Sequence, residues 1–446
     1  LTHSDLKIRH EPTVIARAEH GISRSDISDN ALKVLYRLRK AGYAAFIVGG
    51  GVRDLLLGKH PKDFDVVTDA LPDEIRSLFR NSRLIGRRFR LAHVRFGREV
   101  IEVATFRADG DSETIASDRE HDSASGRILR DNVYGAIEED IWRRDFTINA
   151  LYYNIADFSV WDYTSGMADI RARTLRLIGD PEKRYREDPV RMLRAIRFAA
   201  KLDFSIHESC AEPIPRLAPL LRDVPAARLF DEALKLFQSG HAVRSFDLLE
   251  EFGLLEYLFP ATARRLRDRD AEDVRRFIRA GLAGTDERVS EQKPITPMFL
   301  YAVMLWPSIT VLASMLAEEE SLPATGAVSQ ACQEITLAQQ SYTALPKRYS
   351  VPMREVLQLQ SRFENRKGAR AARFLDHKRF RAAYDFMLLR ANCGEVDEDV
   401  AQWWTEVQGS ADGDRRQAFG VARRRPSGRR GGRRRRKRSR SDSGQT

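Results

Sequence analysis

An α+β head followed by an all-helical body is the fold class this sequence predicts, and three observations carry it. Short β-like runs alternate with helical patterns from residue 30 to about 178. Beyond residue 180 the β signals fade, and apolar residues recur at helical spacing as far as 392. The chain closes on a run of Arg, Gly and Ser that can bury no core and is expected to be disordered. At 446 residues the chain exceeds one typical core, so roughly two to four packed units are expected.

In chain order, residues 1–29 read as a polar leader and 30–178 as the α+β head. The strand candidates there are 44–48, 64–67, 94–96, 100–106 and 152–155, with Gly and Pro between them. Residues 109–131 are rich in Ser, Asp and Gly and read as a loop. Helices are expected at 189–202, 226–238 and 242–252, then at 271–282, 296–305 and 370–392. These divide into segments 179–255 and 256–420, with the tail at 421–446.

Composition narrows the function classes. Residues 423–440 hold twelve Lys or Arg and no acid, so they account for the formal charge of +11 and the rest is nearly neutral. Such a tail suits either polyphosphate binding that weakens with salt or plain solubilisation and targeting. Cys210, Cys332 and Cys393 form no CxxC pair, which argues against a zinc site or a disulfide framework and fits a reducing cytoplasm. No secretory signal is read at the start, although the leading Leu points to a missing or processed N-terminus. The apolar stretch 299–316 is broken by Pro307, Ser308 and Thr310, so a buried helix pair is expected there and not a membrane span.

Five segments carry chemistry. The first is a buried strand running into Gly49-Gly50-Gly51 and then a helix with Arg53, a turn that presents backbone N–H groups and a guanidinium to phosphate. It is no Walker A loop, because Gly58-Lys59 is followed by His60. The second is Asp63-Phe64-Asp65: on a strand, residues two apart share a face, so two carboxylates project together and suit Mg²⁺. Taken alone, such a pair is more often two solvated acids. The third is Glu102, an acid inside an otherwise apolar strand and costly unless paired or metal-bound. If its strand lies beside that of Asp65, Asp63, Asp65 and Glu102 together can hold two ions.

The fourth segment is Arg144-Asp145, where Arg144 suits a phosphate and Asp145 a ribose hydroxyl, the metal site or a helix cap. The fifth is Asp188-Pro189, a helix start, followed by Arg191, Arg194 and Arg197 on one broad face. Asp188 can accept from an exocyclic amino group while Arg191 donates to the neighbouring ring nitrogen. Adenine and cytosine both offer that pair, whereas guanine and uracil do not.

As an ordered set, these segments resemble the class II nucleotidyltransferases, the family of bacterial poly(A) polymerases and CCA-adding enzymes. The likeness spans roughly 30–202 and extends more loosely to 379–385 and the Arg-rich tail. Leu84-Ile85-Gly86-Arg87-Arg88-Phe89-Arg90 through Val94 looks like the segment that marks the poly(A) polymerase branch. The resemblance implies a nucleotidyltransferase head with a small mixed sheet, followed by a helical neck, body and leg. It implies catalytic roles for Asp63, Asp65 and Asp145, with metal ligation by Asp63, Asp65 and Glu102. Nucleotide contacts fall to Gly49, Gly50, Arg53, Arg144, Asp188, Arg191 and Arg194.

Arg87, Arg88, Arg90 and Arg197 are the expected RNA contacts. The expected reaction joins AMP from ATP to an RNA 3′ end with Mg²⁺ (or Mn²⁺), in a cytoplasmic monomer with RNA-decay proteins as partners. A CCA-adding enzyme and a non-catalytic RNA-binding protein are the alternatives. His121-Asp122 is the one His-Asp dipeptide and lies in a polar loop, which gives no support to an appended phosphohydrolase domain.

Overall fold

The structure, a computed structural model, describes residues 11–86, 90–107, 121–122, 127–128 and 134–421. The expected disordered tail and most of the 109–131 loop lie outside these. Two compact units emerge, 1–357 and 358–446.

The first unit begins with strands β1 (Thr13–Ile15), β2 (Ala45–Val48), β3 (Asp65–Thr68), β4 (Ser82–Ile85), β5 (Leu91–Phe96) and β6 (Glu99–Thr105). A two-residue ribbon, β7 (His121–Asp122) and β8 (Arg127–Ile128), precedes β9 (Leu151–Asn154) and β10 (Val160–Asp162). Eight of them form one mixed sheet in the order β1-β10-β9-β2-β3-β6-β5-β4, with β3 and β6 the parallel pair. The stretch read as a polar leader therefore contributes an edge strand, since Thr13–Ile15 pairs antiparallel with Val160–Asp162.

Helices cover both faces. In α1 (Asp29–Lys40), the Ser28 hydroxyl accepts the Ala31 N–H at 3.2 Å, and Ala31, Val34, Leu35 and Leu38 turn inward. It packs with α3 (Pro72–Leu78) on one face of the sheet. On the other face, Ile137 and Ile141 of α4 (Ile137–Trp142) join Phe46, Val48, Val67, Phe106 and Tyr152 in a buried cluster. Between β2 and β3 runs α2 (Gly50–Leu56).

After β10 the chain becomes helical, with the small parallel pair β11 (Thr174–Leu175) and β12 (Ser205–Ile206) interposed. Following α5 (Gly166–Arg171) come α6 (Pro181–Glu187), capped by Asp180 through the Lys183 N–H at 2.8 Å, and α7 (Val190–Leu202). Leu193 and Ile196 of α7 are fully buried, each worth about 1.5–3 kcal/mol. Helices Ala226–Phe237, Ala242–Glu251 and Ala271–Ser290 follow. The stretch 299–316, expected as a buried helix pair, is instead one continuous helix, Pro297–Glu319, which carries Pro307 inside it and packs against Ala324–Gln339. By length and composition that helix could cross a membrane, yet 67% of its apolar window is buried. Thr262 donates to the Met304 carbonyl at 2.6 Å and Arg265 to that of Pro307 at 3.3 Å, supplying donors around the helix-interior proline.

In the second unit, the helix expected over 370–392 is two helices, Gly368–Phe374 and Phe380–Asn392. The break lets Phe374 and Phe380 meet at 5.1 Å between ring centroids and both touch Trp404, which a continuous helix would forbid for residues six apart. Trp404 is fully buried and donates its indole N–H to the Phe363 carbonyl at 2.8 Å.

One backbone contact tests the first unit's packing. A Cβ on Gly166 would lie 2.4 Å from the Thr147 carbonyl oxygen, and a backbone atom cannot swing away. Gly166→Ala is expected to cost about 1–3 kcal/mol, read as a lower midpoint in thermal or urea unfolding. An unchanged midpoint would show that the Thr147 turn shifts freely.

Candidate functional site

The first unit contains a cleft of about 1060 Å³, walled on one side by the β2–α2 turn, Asp63 and Asp65 and on the other by α7 and the end of Ala226–Phe237. Its geometry starts with strand register. Val48 of β2 pairs with Tyr152 of β9 and Asp65 of β3, Asp65 with Glu102 of β6, and Glu102 with His93 of β5. Directly paired residues share a face, so Tyr152, Val48, Asp65, Glu102 and His93 form one row across five strands. The condition set for Glu102 is thereby met.

The strand begins at Asp65, so Asp63 is placed by the preceding loop and not by β alternation. Both still reach the cleft. Asp65 also borders an adjoining pocket of about 230 Å³ that contains Glu102, making it the carboxylate common to both spaces. Although Asp65 opens to the cleft, loss of water there, then the Glu102 charge, push its pKa up to about 6. Arg144 opposes the rise and Asp63 adds to it. Among the described residues, no three His, Cys, Asp or Glu side chains are already gathered as a metal cage. The donor chemistry nevertheless fits a divalent cation: all oxygen, with Glu102 and Asp63 both repelling the Asp65 charge. Glu102 Oε1 has a second neighbour, His93 Nε2 at 3.2 Å.

Gly49 is the hinge of the wall. Its φ of +73° is one that L side chains rarely adopt. A Cβ there would stand 3.7 Å from Asp65 Oδ2 and 4.0 Å from Arg144 Nη1. The buried Arg144 guanidinium is aimed by two donations, Nε to the Tyr152 hydroxyl and Nη2 to Asp140 Oδ2, both at 2.8 Å. The Tyr152 hydroxyl closes the triangle on Asp140 at 2.9 Å. Arg53 borders the cleft as a fixed fork. It is buried beneath the turn, donating to Asp54 at 2.6 Å and to Asn149 at 2.8 Å, with its guanidinium 5.2 Å from the Phe198 ring.

Asp145 also lines the cleft and is held by its neighbours. Arg194 holds Oδ2, donating from Nε at 2.9 Å and from Nη2, while Oδ1 accepts the Phe146 N–H at 2.8 Å and the Asn149 amide at 3.1 Å. Burial works against this charge, but Arg194 foremost, with Asn149 and Phe146, outweighs it and keeps the carboxyl below its usual range. Both carboxylate oxygens are thus engaged within the protein.

Across the cleft, Asp188, Arg191, Arg194 and Arg197 all line the wall together, as the spacing predicts. Asp188 Oδ1 accepts the Val190 N–H at 3.3 Å, and Oδ2 accepts from Arg228 at 2.8 Å. Arg191 donates to the Arg184 carbonyl at 2.7 Å and to Glu187 at 3.0 Å. Arg228, Asp140, Tyr152 and Asn149 all position site residues and carried no local signal. Of the expected RNA contacts, Arg197 lies in the cleft and Arg90 is exposed, while Arg87 and Arg88 lie outside the described residues.

A mixed sheet bearing paired acids and faced by an arginine-lined helix is the arrangement of a nucleotidyltransferase, and solved structures agree at the level of fold. A tRNA-processing enzyme (apo form I) superposes with TM-score 0.59 at 21% identity, covering 86% of this chain and 93% of that one. A tRNA nucleotidyltransferase complexed with a primer tRNA and an incoming ATP analog gives 0.56 at 22%, covering 84% and 98%. Residues 45–176 match the poly A polymerase head domain, and 203–266 the probable RNA and SrmB-binding site of polymerase A. Residues 320–441 match the polymerase A arginine-rich C-terminus.

Poly(A) polymerase I of Salmonella typhi is 52% identical over 90% of this chain and 87% of its own length. That of Haemophilus influenzae is 46% identical over 93% and 92%. A CCA-adding enzyme of Geobacillus stearothermophilus is 37% identical over 51% and 54%. The chain belongs to the poly(A) polymerase family.

The Asp145–Arg194 pair has a pH signature. Because the folded pKa is depressed, its contribution is complete above the unfolded value of about 3.9 and lost as pH falls through the lower folded value. Asp145→Asn is expected to cost about 3–5 kcal/mol near neutrality, because it leaves Arg194 uncompensated. The gap from the parent in urea unfolding should narrow in acid, and a gap independent of pH would mean the pair contributes no charge term.

Proposed function

We propose that the chain adds AMP from ATP to RNA 3′ ends without a template, releasing pyrophosphate, with Asp63 and Asp65 as the catalytic pair. As a poly(A) polymerase family member it is a polynucleotide adenylyltransferase. The observation that carries the site reading is the register that sets Asp65 beside Glu102, whose charge adds to the rise that loss of water already gives the Asp65 pKa. Asp63, Asp65 and Glu102 would hold Mg²⁺ (or Mn²⁺). Bound there, two such ions would lower the pKa of the attacking 3′-hydroxyl and neutralise the triphosphate and leaving pyrophosphate.

The protein's own groups do the positioning. The Gly49–Gly50 turn lets phosphate oxygens approach the backbone closely, with Arg144 supplying positive charge beside Asp65. Arg53 supports that turn from below and meets phosphate only if Asp54 and Asn149 release it. Asp188 accepts from the adenine amino group and Arg191 donates to the ring nitrogen, with Arg228 fixing the Asp188 carboxylate. Asp145 acts as a positioning residue, anchoring Arg194 against the nucleotide.

In this reading, residues 30–178 are the catalytic head and 179–255 the neck that reads the base. Residues 256–420 and the tail assist Arg87, Arg88, Arg90 and Arg197 on RNA. The protein works as a monomer in the cytoplasm, in company with RNA-decay proteins.

A 5′-labelled unstructured RNA given Mg²⁺ and each nucleoside triphosphate separately should yield long ladders with ATP alone. Asp63→Asn and Asp65→Asn should each slow addition by about 10²- to 10⁴-fold while melting like the parent. Addition that stops after C, C and A on a truncated tRNA would overturn the product assignment and keep the chemistry. Undiminished addition by both variants would overturn the site.

A further inference from the structure

The α1 face left uncovered by the sheet borders a second cavity, of about 590 Å³. Asp29, Leu32, Lys33, Tyr36 and Arg37 line it from α1, at the i, i+3, i+4, i+7 and i+8 spacing of one helical stripe. Phe79, Asn81 and Phe96 complete the lining from the end of α3 and from β5. Since α1 and α3 pack on the sheet face opposite α4, this groove is remote from the Asp65–Glu102 row. The nucleotide-binding machinery described above uses none of its residues.

Its chemistry is specific. Lys33 Nζ lies 5.9 Å from the Phe96 ring centroid, and the Arg37 guanidinium 5.3 Å from that of Phe79. Tyr36 is 36% exposed, and its hydroxyl accepts from Arg24 at 3.2 Å, which holds the ring at the surface. Asn81 donates its amide to the Arg95 carbonyl at 2.6 Å, leaving its own oxygen as an acceptor. Asp29 is the one acid in the lining. Glu99 nearby is occupied by Ser28 at 2.7 Å and Asn30 at 2.5 Å.

An exposed ring, a guanidinium plane and flexible ammonium charge are what single-stranded nucleic acid needs for stacking and phosphate pairing. The amide oxygen adds an acceptor for an exocyclic amino group. The cavity falls within the range of roughly 300–1,000 Å³ that takes a compact ligand, about one nucleotide of a passing strand.

We propose that this groove on the back of the head binds single-stranded polyadenylate, stacking a base on Tyr36 and Arg37 with its phosphate on Lys33. The proposal rests on the polyadenylation reading for the identity of the strand, and it gives the growing product a holding site outside the catalytic cleft.

The test uses the full chain, fluorescently labelled oligo(A) of about 20 nucleotides and the variants Tyr36→Ala and Lys33→Glu/Arg37→Glu. Affinity by anisotropy should fall about tenfold in each, and the double variant should flatten the slope of log affinity against log salt by about 0.7, for the one phosphate on Lys33. Single AMP addition to a short primer should stay within about twofold of the parent, while products from long incubations shorten.

Unchanged oligo(A) affinity in variants that melt like the parent would overturn the proposal and leave a solvated helix face. Variant-sensitive binding of a labelled Glu-rich peptide, with oligo(A) indifferent to the variants, would overturn it in favour of a protein partner. Because the binding arm requires no turnover, failure of the parent to add AMP would strike the activity reading and leave the groove to be judged separately.

Discussion

The grip of Arg194 on Asp145 is the constraint around which the cleft is organised. Asp145 ends the approach to the sheet, and Arg194 projects from a helix that begins more than forty residues later; their pairing sets the cleft's two walls at a fixed separation. Bonds to backbone carbonyls reinforce it, with the Ile178 N–H donating to that of Asp145 at 3.0 Å and the Arg184 guanidinium to that of Arg144 at 2.5 Å. A charge pair partly withdrawn from water is costly to leave half-made. Such a joint favours one geometry of the two walls over a range of them.

The walls differ in electrostatic character. On the sheet side, carboxylates crowd until burial and the neighbouring charge raise Asp65, a state that a cation relieves. On the helical side, guanidinium groups crowd: burial and the nearby Arg194 push Arg197 below the usual arginine range, a state that an anion relieves. A metal-bound triphosphate answers both demands in one ligand. Gly49 governs how near it can come, because any side chain there would enter the space between Asp65 and Arg144.

The parts of this arrangement legible in the sequence were those written locally. The glycine turn, the Asp63/Asp65 pair, the acid within an apolar strand and the arginine stripe of α7 each occupy a few adjacent residues, where spacing alone sets direction. Register was not legible: nothing local says that β3 and β6 run parallel with Asp65 opposite Glu102, since pairing is settled by the connections around it. Side-chain anchors were hidden for the same reason. Arg228 reaches Asp188 across forty residues, and the hydroxyl of Tyr152 that aims Arg144 belongs to a residue whose ring reads only as core. The broken helix near Phe374 escaped detection because its residues suit a helix well. The turn is imposed by the aromatic cluster around Trp404.

Strand β1 gives the first residues of the described chain an importance out of proportion to their number. Three residues cover the backbone of Val160–Asp162, which would otherwise present a row of unpaired amides and carbonyls at the margin of an eight-stranded sheet. Behind that margin, Asp162 accepts the N–H groups of Thr164, Gly166 and Met167 at 3.0, 2.9 and 2.9 Å, so the same strand seeds the next helix. A chain trimmed to the obvious catalytic segment would keep every residue of the cleft and yet carry an adhesive border, prone to recruit strands from its neighbours. The margin of the sheet is thus guarded by residues that lie more than twenty positions ahead of the first residue of the cleft.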